Sequence, residues 1–152
     1  MSRIYANACG QNQELGYAVA VGAQPHNDSC AAGLIYINLD DTSKPFSPGC
    51  AGQDGYVHDA QCIVHRGPHK RYQGRDICYG YNEDTLTIYD ATNKNGKNTS
   101  SIISRTEYYG ASYTHQGWTT NTEWQEFLIM NDELDEEERA GNAADGVPVT
   151  YI

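Results

Sequence analysis

Phenylalanine and methionine are scarce in this 152-residue chain, at two each, whereas tyrosine occurs twelve times. A core so short of large pure hydrophobes must rely on Tyr, Val and Ile, residues that suit half-buried sheets and, in tyrosine, keep a wet hydroxyl. Hydrophobic residues still reach 39 %, enough for the core of one domain. Basic residues are few: ten Lys and Arg face twenty Asp and Glu, for a net charge of −10. That balance excludes the basic face that nucleic acid requires and disfavours an anionic membrane surface, while leaving cations as suitable partners. No apolar run approaches the roughly 20 residues of a membrane-spanning helix. The opening "MSRIYANACG" lacks the plan of a signal peptide. Also missing are a CxxC zinc knuckle, a nucleophile elbow, a glycine-rich phosphate loop and a zinc-protease helix.

Five cysteines are present, Cys9, Cys30, Cys50, Cys62 and Cys78, all in the first half. With the sequons at Asn27 and Asn98 they point to a secreted or cell-surface glycoprotein carrying one or two disulfides. Cys9 and Cys30 bracket one strand-like segment and are expected to pair. Cys50 is left to Cys62 or Cys78, and sequence does not choose between them.

Almost nothing reads as helix. Short segments rich in Val, Ile, Tyr and Thr, bounded by Gly, Asn, Asp or Pro, predict strands over 17–23, 33–40, 59–65, 75–81, 85–91, 101–109, 126–132 and 147–152. "DELDEEERA" carries too many like charges for a stable helix and is expected to be a solvated loop or a single turn. "LIYINLDDTSKPF" and "TLTIYDATNKNGK" share an apolar run, an Asp, then Thr and Lys, and "VPVTYI" starts a third copy. Their Asp40, Asp41 and Asp90 suit tight turns. Repeating four-strand units of roughly 40 to 60 residues predict an all-β fold of two to three antiparallel β-propeller blades, near 1–50, 51–100 and 101–152, with a β-sandwich as the competing fold. So few blades do not close a ring. The remaining blades are expected from a longer polypeptide or from other subunits.

"GYVHDAQCIV", "GRDICYGYNEDTLTIYDATNK", "ISRTEYYGASYTHQGW" and "LIMNDELDE" resemble the choice-of-anchor B family, whose members carry LVIVD-type repeats, with the fungal secreted members most similar. The resemblance runs from about Gly16 onward. It implies a β-propeller, an extracellular or cell-surface location, and a longer protein of which this chain is a central portion. It implies no particular activity.

The candidate site rests on two similar segments. "GYVHDAQCIVHRG" and "SYTHQGWTT" each set a histidine after an aromatic and at the head of a strand, and His58 and His115 lie 57 residues apart. As innermost strands of successive blades they bring two imidazoles to one axis, with Asp59, Gln61 and Gln116 near. His58, His115 and Asp59 are therefore candidate ligands for a divalent cation (Ca, Mn or Zn). The same groups suit proton transfer near neutral pH. Gln61, Gln116, Tyr113 and Trp118 are candidate contacts for a glycan or other extracellular ligand, while packing between blades competes for every one of these residues. His65 and His69 sit in a basic turn and read as plain surface. "NED" (82–84) and "NDELDEEE" (131–138) offer oxygen ligands without matching an EF-hand loop, and read as solvated acidic loops. Two functions follow: a secreted binding scaffold, or a propeller lyase or hydrolase acting on polysaccharide through His, Tyr and a metal, the latter by fold-level analogy alone.

Overall fold

The structure, a computed structural model, describes residues 5–6, 16–23 and 30–152; Cys9 and Asn27 lie outside them. Twelve strands are described, in three sheets. The first orders as β1 (Tyr5–Ala6), β2 (Tyr17–Val21), β3 (Leu34–Asn38), β4 (Phe46–Ala51) and β8 (Gly96–Lys97). The second is an antiparallel meander of β5 (Asp59–Val64), β6 (Asp76–Tyr81), β7 (Leu86–Asp90) and β9 (Ser101–Thr106). The third joins β10 (Thr114–Thr119), β11 (Leu128–Asp132) and β12 (Thr150–Tyr151). The chain is all-β, as its composition implies, and every strand pairing described is antiparallel except that of β4 with β8.

The three segments read as a repeat, β3, β7 and β12, each hold the third position of their sheet. The expected divisions at 50 and 100 need adjusting. β9 completes the second sheet by pairing with β7, and β8 leaves that region to run parallel beside β4. β4 escaped the sequence reading because Pro48 and Gly49 look like turn residues. The glycine is what the pairing needs, since a Cβ at position 49 would collide with the Gly96 carbonyl.

Two apolar layers cement the sheets. Tyr17, Val19, Val21, Leu34, Tyr36 and Ala51 of the first sheet meet Ala60, Cys62, Cys78 and Tyr89 of the second. On its other face the second sheet presents Ile63, Ile77, Tyr79 and Tyr81 to Met130, with Leu128 and Tyr151 alongside. Tyrosine fills the place that Phe usually takes: Tyr36, Tyr81 and Tyr89 are fully buried. Tyr36 keeps its hydroxyl on Ser100 Oγ at 2.7 Å, and burial raises its phenol to about 12.

The disulfides are Cys30–Cys50 and Cys62–Cys78. This corrects both expectations: Cys30 is taken by Cys50, not Cys9, and Cys62 and Cys78 take each other. They are directly opposed partners of the β5–β6 ladder, and Cys50 faces Ile35 in the β3–β4 ladder, with Cys30 held in the loop that leads into β3. Such bridges are typical of extracellular proteins.

The acidic stretch forms the single turn α1 (Asp135–Glu138), but it is not simply solvated: Asp135 is fully buried and accepts a bond from the Tyr151 hydroxyl at 3.0 Å. Asp41 accepts from Ser43 N at 3.0 Å and Asp90 from Thr92 N at 3.1 Å, the turn role expected of them. Asp40 instead pairs with the Asn38 amide. His65, expected at the surface, is buried, with its backbone spanning Arg75 and Gly74.

Candidate functional site

β5 and β10 are the first strands of adjacent sheets, and their heads meet. His58 stands one residue before β5, anchored by its N–H on the Tyr81 carbonyl at 2.7 Å. His115 is the second residue of β10, where the ladder to β11 is irregular: Thr114 pairs with Asp132 and Gln116 with Asn131, so His115 is the extra residue of a β-bulge. A bulge re-aims a side chain out of the strand's alternation. Here it brings His115 beside His58, with ring centroids 4.6 Å apart.

Two phenols complete the cluster. Tyr56 and Tyr113 each precede a histidine by two residues, and both hydroxyls reach His58 Nδ1, at 2.9 and 3.1 Å. The two hydroxyls lie 3.4 Å from each other. Tyr113 also meets the His58 ring edge-on, with centroids 5.1 Å apart. Burial, and the Tyr56 hydroxyl beside it, push the Tyr113 phenol above its ordinary value. Burial first, then the neighbouring His115, hold the His58 imidazole below its ordinary value, against the pull of Asp59, Glu133 and Glu83. His58 is thus a neutral imidazole at pH 7 with a hydrogen-bonded Nδ1. His115 Nε2 lies 3.5 Å from Glu133 Oε2, a half-exposed contact of small worth.

Glu83 and Glu133 hold matching places. Asp59 pairs with Tyr81 and Gln116 with Asn131; the residues that follow are Asn82-Glu83 and Asp132-Glu133. Each repeat therefore contributes a Tyr-x-His at the head of its first strand and an Asn/Asp-Glu at the end of its second. Sequence reasoning found the histidines and Tyr113, missed Tyr56, and placed Glu83, Asp132 and Glu133 in acidic loops apart from the histidines. The spacing shared by the two Tyr-x-His strings was the available signal. Asp132 and Asp135 are buried, so 131–138 is not simply the solvated loop expected of it, whereas Glu83 and Asp84 of 82–84 are exposed as expected.

The other candidates part company. Asp59 turns a carboxylate oxygen to Ala60 N at 2.8 Å and lines a cleft of about 650 Å³ with Gln116, Trp118, Ile129, Asn131 and Thr150. Gln61 is fully buried and accepts from Thr119 N at 2.8 Å, tying β5 to β10, a linking position rather than a ligand-facing one. Trp118 is 47 % exposed on the outer face of the third sheet. Asn98 is exposed, in a left-handed conformation, with its Oδ1 accepting from Gly52 N at 2.8 Å. Among the described residues no three of His, Cys, Asp and Glu are grouped to hold a metal ion, and no helix is long and apolar enough to cross a membrane.

The loop that carries Tyr113 is pinned from below. Gly110 and Gly141, both at positive φ, press backbone to backbone, and a Cβ on either would collide with the other segment.

The histidines give acid stability a sign. His58 and His65 are both held below their ordinary value, His65 by burial first and His69 next, so the folded chain binds fewer protons than the unfolded one as pH falls below about 6.5. Stability is then lost with acidification across that window. The thermal midpoint is expected to drop between pH 7 and pH 5, and His58→Gln with His65→Gln should flatten the curve there. A wild-type midpoint that is flat or rising towards pH 5 contradicts the assignment. Asp90 and Asp132, held low by their hydrogen bonds despite burial, add their losses only further down, through the carboxylate range.

Comparison with family models, with curated proteins and with solved structures returns no match. The fold and the cluster therefore rest on the chain's own geometry.

Proposed function

We propose that this chain is part of an extracellular β-propeller that serves as a binding scaffold, with its polar ligand site at the Tyr56–His58–Tyr113–His115 cluster. The observation that carries the reading is the convergence of two repeat-equivalent Tyr-x-His strings onto one point, with the imidazoles 4.6 Å apart. A structural joint needs only packing. Two imidazoles, two phenols and two rim glutamates offer donors and acceptors in one place, suited to a polar extracellular ligand such as a glycan.

The propeller reading has a second support. Gln61, Ile63, Ile77 and Tyr79, on the face of the second sheet turned to the third, are at most 8 % exposed. The same register positions of the third sheet include Trp118, Phe127 and Ile129, which are 47 %, 58 % and 43 % exposed. Large apolar groups at positions that the preceding repeat buries fit a joint for a further sheet of the same kind, supplied by a longer polypeptide or by other subunits. In that reading Trp118 and Gln116 serve the joint.

The test is binding by the whole chain. Zn²⁺, Mn²⁺, Ca²⁺ and a panel of neutral and acidic oligosaccharides are titrated calorimetrically into wild type, His58→Ala and His115→Ala. Removing one or two hydrogen bonds from a partly buried site weakens binding by about 10–100-fold. A probe that binds wild type and weakens by that much in both folded variants supports the site. Equal affinity in all three chains, or no binding by any probe, sinks it. The hydrogen bond between Tyr113 and His58 also favours a second reading, acid–base cleavage of a polysaccharide. New unsaturated or reducing ends, lost in Tyr113→Phe, would establish it.

A further inference from the structure

Asp132 is 4 % exposed and gathers four donors. Its Oδ1 accepts from Tyr113 N at 2.8 Å and Leu134 N at 3.0 Å; its Oδ2 accepts from Ser112 N at 2.8 Å and the Tyr108 hydroxyl at 2.6 Å. Tyr113 is gripped from the other side too, because its carbonyl accepts from Glu133 N at 3.0 Å. The residue carrying the phenol is thus clamped at both ends of its backbone by the Asp132-Glu133 pair, and the Glu133 side chain reaches on to His115. The matching pair of the preceding repeat is used differently: Glu83 exchanges backbone bonds with Thr114, and among the described residues Asn82 grips no Tyr-x-His backbone. Asn82 accepts from Thr85 N at 2.9 Å and donates to Asp54 in the loop that leads to Tyr56 and His58. A charged acceptor serving three backbone N–H groups and one hydroxyl is a strong local constraint, and more than a loop tip needs in order to stay attached.

We propose that Asp132 is the positioning residue of the cluster, holding the 108–113 loop so that the Tyr113 hydroxyl meets His58 Nδ1 and keeps that imidazole in one tautomer. The proposal builds on the ligand-site reading of the cluster, but it concerns the state of His58 in the free protein. A neutral imidazole has one donor and one acceptor nitrogen, chosen by the partner of whichever nitrogen is engaged. Tyr56 and Tyr113 engage Nδ1, so the character of Nε2 follows from where the two phenols are held. Asp132 touches no reacting group; it acts through the backbone of Tyr113.

The test reads the two ring nitrogens of His58 by NMR at alkaline pH, where the imidazole is neutral, in the full chain. Wild type is expected to show two widely split ring-nitrogen resonances, the mark of one tautomer. In Asp132→Ala they draw together towards the average of a free imidazole. Asp132→Asn, which keeps one acceptor oxygen, gives an intermediate pattern. Leu128→Ala, a core truncation away from the loop, serves as the matched control: it lowers the thermal midpoint and leaves the splitting alone. Should Asp132→Ala fail to fold, Asp132→Asn carries the comparison. Asp132 variants that lose stability but keep the wild-type splitting, or a wild type already averaged, overturn the proposal. The readout needs no ligand, so a failure here is separate from a failure of the binding titrations.

Discussion

Asp54→Ala is expected to cost about 3–5 kcal/mol of folding stability. The Asp54 side chain is fully buried and accepts from Asn82 Nδ2 and Thr87 Oγ1 while pairing with Arg105. Arg105 is half exposed and returns to water when its partner goes, so little of the effect is its own. The cost lies in the two buried donors that lose their acceptor, Asn82 outright and Thr87 down to Thr85 Oγ1 at 3.0 Å. Asn82 and Thr87 are 6 % and 0 % exposed, and a buried donor without a partner is penalised by roughly 1–3 kcal/mol. Opening of the junction between the first two sheets adds the remainder. For a chain of this size the thermal midpoint should fall by roughly 6–20 °C. Thr87→Val supplies the check. It removes one of the two donors that Asp54 served, so in the Asp54→Ala background it should recover part of the loss, a non-additivity that a double-mutant cycle measures. Additive effects, or a midpoint unmoved by Asp54→Ala, would rule out the network as a stabilising device.

Opening both disulfides has the other large effect. They close loops with sequence separations of 20 and 16 residues, each worth about 3 kcal/mol in the chain-entropy model. Together, at about 6 kcal/mol, that falls within the lower part of the 5–15 kcal/mol that holds a typical domain together. Cys62 and Cys78 also lie in the apolar layer between the first two sheets, and Cys50 is buried next to Ala51 of that layer, so their loss leaves packing defects. Cys30→Ser/Cys50→Ser and Cys62→Ser/Cys78→Ser are each expected to shift the urea midpoint downward, and the quadruple variant to be largely unfolded at 37 °C. Peptide mapping without reduction checks the pairing itself: recovery of a Cys9–Cys30 peptide would contradict it.

Much of the fold was legible because it depends on local pattern. Val, Ile and Tyr runs between turn residues gave eight of the strands, and the Asp-Thr-Lys repeat marked the third strand of each sheet. β4 was hidden because Pro48 and Gly49 are turn-like by themselves; only the approach of β8 explains the glycine. The disulfides were illegible for the opposite reason. Sequence proximity suggested Cys9 with Cys30, whereas strand register, a long-range property, places Cys62 opposite Cys78. The same holds for the site. Two histidines at the head of similar strands could be singled out, but not the bulge that turns His115 towards His58. Charge alone also misread 131–138 as solvated, since Asp132 and Asp135 are buried through bonds to a loop and to a strand that sequence does not place beside them.

The glycine crossing at positions 110 and 141 ties these parts mechanically. With no side chain between them, the backbone beneath the Tyr113 loop and the backbone after the acidic turn form a single strut. At that crossing even one added methyl group has no room, so the spacing between the acidic turn and the Tyr113 loop is set by bare backbone contact.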